Sequence, residues 1–490
     1  MTKTSFVLAV ISWSLPALAG AQDRFVAAAY ELDGTLDTTF SGDGKVMTSV
    51  WPDSIYAIEG NAVTADDTGR AIVAGHAAGR TVVVRYRLDG SLDTSFGGTG
   101  KIATDPGCAF GAHAEDDGAR GVASKYGKIV AAGQMCRRAG IVRYNSDGTL
   151  DPTFGIGGFV RLSDTDPSWA NAVAVDSLGR IVVVGALRIY KTTALNSHFP
   201  DEQIFIARLN WTDGSLDTTF AGTGMVFVNL YKPDSSNREA HNGNYEDATA
   251  VAIQTNGRIA VAGWAAVTST IAVGVGTPHF NFVVLNYNDN GKPNTSFTSC
   301  NRDAGHYAYF NDIPGCSWID MDAGPDHAQA FAIGIDILGR IVAAGGVQAS
   351  GKEHFGVVRL NADGTPDSSF DGNGKRLIKW GSSSSEARAL LVTSTVEGIY
   401  VGGWVDDGTR RSFALAHLHA FNGSLDSYFG SALTGKVITT FPCAGDQQIN
   451  GLAFSSPAQL VPQGGGTTTA SAPDRVVAAG GATYTCSWQP

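Results

Sequence analysis

The chain has 490 residues, and its 35 basic and 46 acidic side chains give a formal net charge of −11. Hydrophobic residues make up 43%, which excludes a disordered chain, and the acidic balance argues against nucleic-acid or anionic-membrane binding. Charged residues are only 17% and glycines number 61, which is typical of many short strands joined by tight turns.

The first 21 residues have the pattern of a signal peptide. Lys3 precedes an apolar run over 6–18, and small residues at Ala19 or Ala21 offer a cleavage site. The apolar run is too short for a transmembrane anchor, and the alternative is a buried N-terminal strand or helix. We therefore predict a leader over 1–21, a mature domain over 22–490, and a secreted or periplasmic protein.

Two phrases alternate seven times along the rest of the chain. The first is DGTLDTTF (33–40), DGSLDTSF (89–96), DGTLDPTF (147–154), DGSLDTTF (213–220), NGKPNTSF (290–297), DGTPDSSF (363–370) and NGSLDSYF (422–429). The second is GRAIVAG (69–75), GKIVAAG (127–133), GRIVVVG (179–185), GRIAVAG (257–263), GRIVAAG (339–345), GIYVGG (398–403) and DRVVAAG (474–480). Each unit carries four short strand-like segments and no helical periodicity, which predicts an all-β, seven-bladed β-propeller with four-stranded blades.

The two ends of the chain are expected to complete one shared blade. Residues 25–30 resemble a third strand and are followed by a fourth near Lys45, whereas the C-terminal part supplies only first and second segments. Sharing a blade would remove free sheet edges. Residues 482–488 remain an alternative third strand.

These phrases resemble the delta-60 repeat family over nearly the whole mature chain. The resemblance implies a bacterial exported β-propeller without an assigned activity. The copy at 290–297 departs from the repeated phrase, with Asn at both acidic positions.

Connections after the first and third strands are short, and we name their side of the disc the short-turn face. Connections after the second and fourth strands vary in length and define the variable face, where ligand recognition is expected. The insertions assigned to the variable face are 186–200, 229–247, 264–278, 299–326 and 382–386. A flexible loop over 455–472 is the exception and belongs to the short-turn face.

Six cysteines in an exported chain favour disulfides. Matching positions in equivalent variable-face loops predict the pairs Cys108–Cys136 and Cys443–Cys486. Cys300 and Cys316 remain, and we predict that they pair inside the longest insertion.

The repeated turns have a structural interpretation. Their Asp and Asn residues are expected to form Asx turns with glycine at positive φ, and their Phe residues to anchor neighbouring blades. The Arg of the second phrase is expected to pair with turn carboxylates. The spacing lacks the order of a known calcium loop, although calcium binding stays possible.

Candidate ligand contacts come from the first strands, where a polar residue stands between small ones. These central residues are Asn61, Arg120, Asn171, Thr249, Gln329, Arg388 and Asn450. Their neighbours are Glu59, Asp117, Trp169, Asp247, His327 and Glu386. Trp264 and Trp404 begin the loops after two second strands, and tryptophan beside carboxylates suits a sugar or a cationic ligand. The alternative is that the central residues hydrate the channel or bond neighbouring blades.

No catalytic or nucleotide-binding motif is recognisable. We expect a monomeric binding module that recognises a glycan or protein ligand, with no cofactor, nucleic-acid partner or membrane insertion. The alternatives are a polysaccharide lyase or hydrolase using Asp247, His327 and Glu386, and a structural surface protein.

Overall fold

The computed structural model describes residues 7–10, 24–50, 58–108, 117–163, 167–192, 198–230, 245–267, 279–300, 313–321, 327–393, 398–442, 444–455 and 475–484. All regular secondary structure within these ranges is β-strand. None of the described residues belongs to a helix that could span a membrane.

Seven sheets form the blades, six with four antiparallel strands and the seventh with four antiparallel strands and one additional short strand, which confirms the predicted seven-bladed propeller. The strands of blades 1 to 3 are β4 (Ile58–Ala65), β5 (Ala71–Ala77), β6 (Arg80–Tyr86) and β7 (Lys101–Thr104); β8 (Gly118–Lys125), β9 (Lys128–Met135), β10 (Arg138–Tyr144) and β11 (Phe159–Arg161); β12 (Ser168–Val175), β13 (Ile181–Thr192), β14 (His198–Leu209) and β15 (Met225–Val228). Those of blades 4 to 6 are β16 (Glu246–Ile253), β17 (Ile259–Val267), β18 (His279–Tyr287) and β21 (Cys316–Ile319); β22 (Ala328–Ile335), β23 (Ile341–Ala349), β24 (Lys352–Leu360) and β25 (Lys375–Ile378); β26 (Ser385–Val392), β27 (Ile399–Asp406), β28 (Arg411–Leu418) and β29 (Lys436–Thr439). A separate two-stranded ladder joins β19 (Ser299–Cys300) to β20 (Ile313–Pro314).

Blade 7 closes the ring from both ends of the chain, as predicted. Its order is β30 (Ala444–Ser455), β31 (Arg475–Tyr484), β2 (Arg24–Tyr30) and β3 (Lys45–Thr48). Because β31 continues to Tyr484 as the second strand, the third strand comes from the N-terminal side. A short strand β1 (Val7–Val10) within the predicted leader pairs along the inner edge of β30. Leader cleavage would leave blade 7 with four strands.

The hydrophobic core lies between blades. Every residue of β5 is buried, and successive side chains of the strand face opposite neighbours. Ile72 and Ala74 pack toward blade 2, whereas Val73 packs toward blade 7. A strand covered on both faces needs a continuous apolar run, which explains the composition of the second phrase.

The repeated turn forms a clamp between blades, illustrated by Arg359 in β24. Its Nε donates to Asp367 Oδ2 at 2.8 Å, and its guanidinium carbon lies 4.8 Å from the centroid of the Phe370 ring. Its other nitrogens donate to the carbonyls of Ala420 and Phe421 in blade 6. The remaining Asp367 oxygen accepts from a backbone N–H two residues later, so the Asx turn and the Phe anchor are confirmed.

In blade 4 the same clamp is built from neutral side chains. Asn286 replaces the arginine and Asn294 replaces the aspartate, with Asn294 Nδ2 donating to Asn286 Oδ1 at 2.9 Å. Asn286 Nδ2 donates to Gln254 Oε1, and Gln254 donates to the carbonyl of Gly339 in blade 5. In this degenerate copy, both charged members of the clamp are therefore replaced together by neutral amides.

Part of one insertion was assigned to the wrong face. The fourth strand of blade 4 begins at Cys316, whose N–H donates to the carbonyl of Thr298 across the insertion. The part of the predicted insertion 299–326 that precedes Cys316 therefore lies in the third-to-fourth connection, on the short-turn face, whereas the residues after Ile319 follow the fourth strand. The degenerate repeat lacks the usual glycine-lysine entry to the fourth strand, which hid this boundary.

Candidate binding site in the central channel

Each first strand carries a β-bulge opposite the last glycine of the second phrase. In blade 1 the bulge falls at Asn61, between the pairs Gly60–Gly75 and Ala62–Ala74. A Cβ placed on Gly75 would lie 1.7 Å from the Glu59 carbonyl oxygen, so only glycine fits. Bulges re-aim side chains, and here they direct one residue per blade toward the axis.

These bulge residues line a single cavity of about 390 Å³. We name them the channel ring: Asn61, Arg120, Asn171, Thr249, Phe331, Arg388 and Asn450. Trp264, Asp247 and Gln329 also line the cavity. Its other end is apolar, with Val63, Val122, Val173, Ile333, Leu390 and Leu452. Since first strands begin at the variable face, the polar end opens toward that face.

In blade 5 the bulge residue is Phe331, whereas the sequence pattern had placed Gln329 there. Ala330 pairs with Gly345 and Ala332 with Ala344, which leaves Phe331 as the extra residue. Because Ala328, Ala330 and Ala332 alternate with larger residues, both Gln329 and Phe331 stand between two alanines and fit the sequence pattern of the bulge residue. Gln329 instead occupies the position of Glu59, two residues before the bulge.

Part of the channel ring bonds neighbouring blades. Asn61 Nδ2 donates to the Ala119 carbonyl of blade 2 at 2.7 Å, and Asn450 Nδ2 donates to the Gly60 carbonyl of blade 1 at 3.2 Å. Both side chains are buried, with exposed fractions of 4% and 7%. The Oδ1 atoms of Asn61 and Asn450 have no hydrogen-bond partner among the described residues.

Asp247 lies at the centre of a hydrogen-bonded cluster between blades 3 and 4. Its Oδ2 accepts from Trp169 Nε1 at 3.1 Å, and its Oδ1 accepts from Asn171 Nδ2 at 2.7 Å. Burial, with the nearby charge of Glu202, raises the pKa of Asp247 to about 7 despite these donors and Arg120. The carboxyl group is therefore poised to exchange a proton near neutral pH.

A second acid pair occupies the equivalent position between blades 5 and 6. Glu386 Oε2 accepts from Trp404 Nε1 and from Arg388 Nη2, both at 2.9 Å. Burial and the charge of Glu386 raise the pKa of Glu353 to about 7, opposed by Arg388 and Arg411. This geometry brings Glu353 beside Glu386, as Glu202 is beside Asp247.

Glu202 and Glu353 were not among the residues predicted from the sequence. Each stands in a third strand, three residues before the one that pairs with the bulge glycine of its blade. Aligning these two third strands on the residues that pair with the bulge glycines would have shown that Glu202 and Glu353 occupy the same position.

The remaining candidates occupy different environments. Glu59 and Trp404 are buried, and Asp117 is fully buried with its Oδ1 accepting from the Arg137 N–H at 3.2 Å. His327 packs against Phe280 with the two rings tilted by 35° and their centroids 5.3 Å apart. Asp247 belongs to the first strand of blade 4 and Glu386 to that of blade 6, and His327 directly precedes the first strand of blade 5.

Two of the predicted disulfides are confirmed. Cys108 bonds to Cys136 and Cys300 bonds to Cys316. Cys443 and Cys486 lie outside the described residues. No group of three or more potential metal ligands of the His, Cys, Asp and Glu types occurs among the described residues.

A larger open groove of about 910 Å³ runs along the outer rim between blades 6 and 7. Its lysines already donate to backbone carbonyls, as Lys436 does to Lys379 at 2.9 Å, and Lys436 lies over the Trp380 ring. The central cavity, with its unpartnered acceptors, is the better candidate for a ligand site.

Comparison with known proteins supports a propeller family of unknown function. Residues 68–96, 127–154 and 339–370 match the profile described as "Domain of unknown function (DUF5122) beta-propeller". No curated protein matches the chain.

Among solved structures, a protein of unknown function from Dyadobacter fermentans DSM 18053 shares 11% identity, with 95% of this chain and all of that chain covered, at a TM-score of 0.32. Sqt1 from Chaetomium thermophilum shares 13%, with coverages of 81% and 83% and a TM-score of 0.37. The tricorn protease shares 10% at a TM-score of 0.36; 84% of this chain aligns with only 31% of that one. At these scores the likenesses carry no statement about function.

Proposed function

We propose that this protein is an exported delta-60 repeat propeller that binds a carbohydrate at the channel ring, entering from the variable face. The observation that carries the proposal is the pair of buried, unpartnered amide oxygens of Asn61 and Asn450 beside the cavity. A buried acceptor without a donor is costly, and sugar hydroxyl groups are suitable donors.

The rest of the cavity suits the same ligand. Trp264 lines it and is braced by Phe280, 4.9 Å between ring centroids, which gives a fixed aromatic surface for a sugar ring. A volume of about 390 Å³ is at the lower end of small-molecule sites and suits a short oligosaccharide or a chain end.

Thermal unfolding with a panel of oligosaccharides tests the proposal, using protein recovered after export. A ligand at 100 times its Kd should stabilise by roughly 2.7 kcal/mol. With about 1 kcal/mol per degree for a domain of this size, Tm should rise by about 2–3 °C. Calcium and EDTA arms test the possible cation.

The variant Trp264→Ala should abolish the sugar-dependent rise in Tm. Trp211→Ala is the matched control, because Trp211 lies in a turn on the short-turn face and packs on Tyr126. No rise with any sugar, or equal loss in both variants, would refute a carbohydrate site in the channel.

Asp247 supports a second candidate, a glycoside hydrolase. Glycoside hydrolysis uses a general acid with a raised pKa together with a second carboxyl group. Burial and the charge of Glu202 raise the pKa of Asp247, and Glu202 is the second carboxyl group. Release of reducing ends, lost in Asp247→Asn while binding persists, would favour this candidate over a binding protein.

A further inference from the structure

Resting on the proposed function, we infer that the bound sugar is acidic and that its carboxylate is recognised by an arc of the channel ring. This arc consists of Arg388, Asn450, Asn61 and Arg120, from blades 6, 7, 1 and 2.

The four residues are consecutive around the channel. Blade 7 is joined to blade 1 by the bond from Asn450 to the Gly60 carbonyl, and blade 1 to blade 2 by the bond from Asn61 to the Ala119 carbonyl. The arc therefore presents two amide acceptors flanked by two guanidinium groups.

The acceptors define one requirement of the ligand. The Nδ2 atom of Asn61 is held by a backbone carbonyl and by His76 Nδ1, and that of Asn450 by a backbone carbonyl, so the Oδ1 atoms are the ends left for a ligand. A simple anion has no proton to donate to them, whereas a sugar carries several hydroxyl donors.

The arginines define the other requirement. The guanidinium carbon of Arg388 lies 4.0 Å from the centroid of the Phe331 ring, and its Nη2 donates to Glu386 Oε2. The Nε of Arg388 has no partner in the described part of the protein. Arg120 donates Nη1 to Asn171 Oδ1 at 3.1 Å, and both arginines line the cavity. Guanidinium groups suit carboxylates because they offer paired N–H donors and a permanent charge. A ligand with both hydroxyl groups and a carboxylate satisfies the amide acceptors and the arginines of the arc.

The acids around the cavity make this recognition sensitive to pH. Asp247 faces Trp169, Asn171, Arg120 and Glu202, and Glu202 is itself bonded to Arg188. Glu353 faces Glu386, Arg388 and Arg411. Both Asp247 and Glu353 have pKa values raised to about 7, so acidification neutralises them and leaves Arg120 and Arg388 less compensated. Binding of an acidic sugar should strengthen as the pH falls from 8 to 6.

Calorimetric titration of exported protein with uronic-acid oligosaccharides tests the inference. The probes are oligomers of galacturonate, glucuronate and mannuronate, each compared with its carboxyl-reduced neutral counterpart. Protein recovered after export is required, because β1 of the leader pairs with β30 at Asn450, beside the arc. We expect at least one acidic oligomer to bind about tenfold or more tightly than its neutral counterpart, and more tightly at pH 6 than at pH 8.

Variants separate charge recognition from folding. Arg120→Gln and Arg388→Gln should each weaken acidic-sugar binding about tenfold or more, whereas Arg87→Gln, half-exposed on the short-turn face, should not. Asn61→Asp should also repel the acid, but it removes the bond to the Ala119 carbonyl and lowers the Tm of the free protein, so the Tm of every free variant is measured beside its affinity.

Equal or tighter binding of the neutral counterparts would overturn the acidic-sugar inference and leave the carbohydrate proposal standing. Tighter binding at pH 8 would overturn it as well. Failure of every acidic and neutral sugar would overturn both proposals together.

Discussion

Replacing Arg359 with alanine should destabilise the whole ring measurably. Arg359 is fully buried and connects Asp367 of its own blade to two carbonyl groups of blade 6. Its removal leaves the Asp367 Oδ2 atom with the flanking Arg340, whose Nη1 donates to it at 2.9 Å, while Oδ1 keeps its bonds to Ser369.

The magnitude follows from these contacts. Removing one member of a buried ion pair typically costs about 3–5 kcal/mol, and the surviving Arg340 bond places this case near 3–4 kcal/mol. The unfolding entropy is about 2.1 cal/mol/K per residue, or about 1 kcal/mol/K for a mature chain of about 470 residues. The expected loss of Tm is therefore about 3–4 °C.

Scanning calorimetry of the parent, Arg359→Ala and the double variant Arg359→Asn/Asp367→Asn checks this reasoning. The double variant imitates the neutral clamp of blade 4, formed by Asn286 and Asn294, and should be less destabilised than the single variant. A single-variant loss below 1 °C, or a double variant less stable than the single one, would contradict the role of the buried charge.

Three further outcomes are expected. Because folding raises the pKa of Asp247 from its usual value of 3.8 to about 7, its contribution to stability falls as pH rises from about 4 to 7 and is constant above. The difference in Tm between the parent and Asp247→Asn should change across that window, and a constant difference would contradict the shift. Replacing Cys108 and Cys136 with serine should cost about 3–4 kcal/mol in denaturant unfolding, from a loop of 28 residues; an unchanged midpoint would contradict it. Mass spectrometry of exported protein should show cleavage after Ala19 or Ala21, and a retained leader would exclude the predicted signal peptide.

The blade count, the ring closure and the turn chemistry were predictable from the sequence because their signals are local and repeated. A phrase such as DGTPDSSF encodes its own Asx turn, glycine conformation and Phe anchor, and Asp367 and Phe370 adopt these roles in the structure. Because the phrase occurs seven times, the pattern can be recognised even where a single copy departs from it.

The register of the bulges and the acid pairs were not predictable in the same way. Ala328, Ala330 and Ala332 allow two readings of blade 5, and only pairing with β23 selects Phe331. Glu353 meets Glu386 across a blade boundary, from strands that no short sequence motif connects. Such contacts are set by tertiary packing between repeats.

Closure of blade 7 by strands from opposite ends of the chain has a kinetic consequence. Ala27 of β2 pairs with Ala479 of β31, so this ladder joins residues separated by nearly the entire mature sequence. Such a contact closes a very long loop and cannot form until the last strands have been synthesised. Before that step, six blades would form an open arc, and the channel would become a defined cavity only when blade 7 closes.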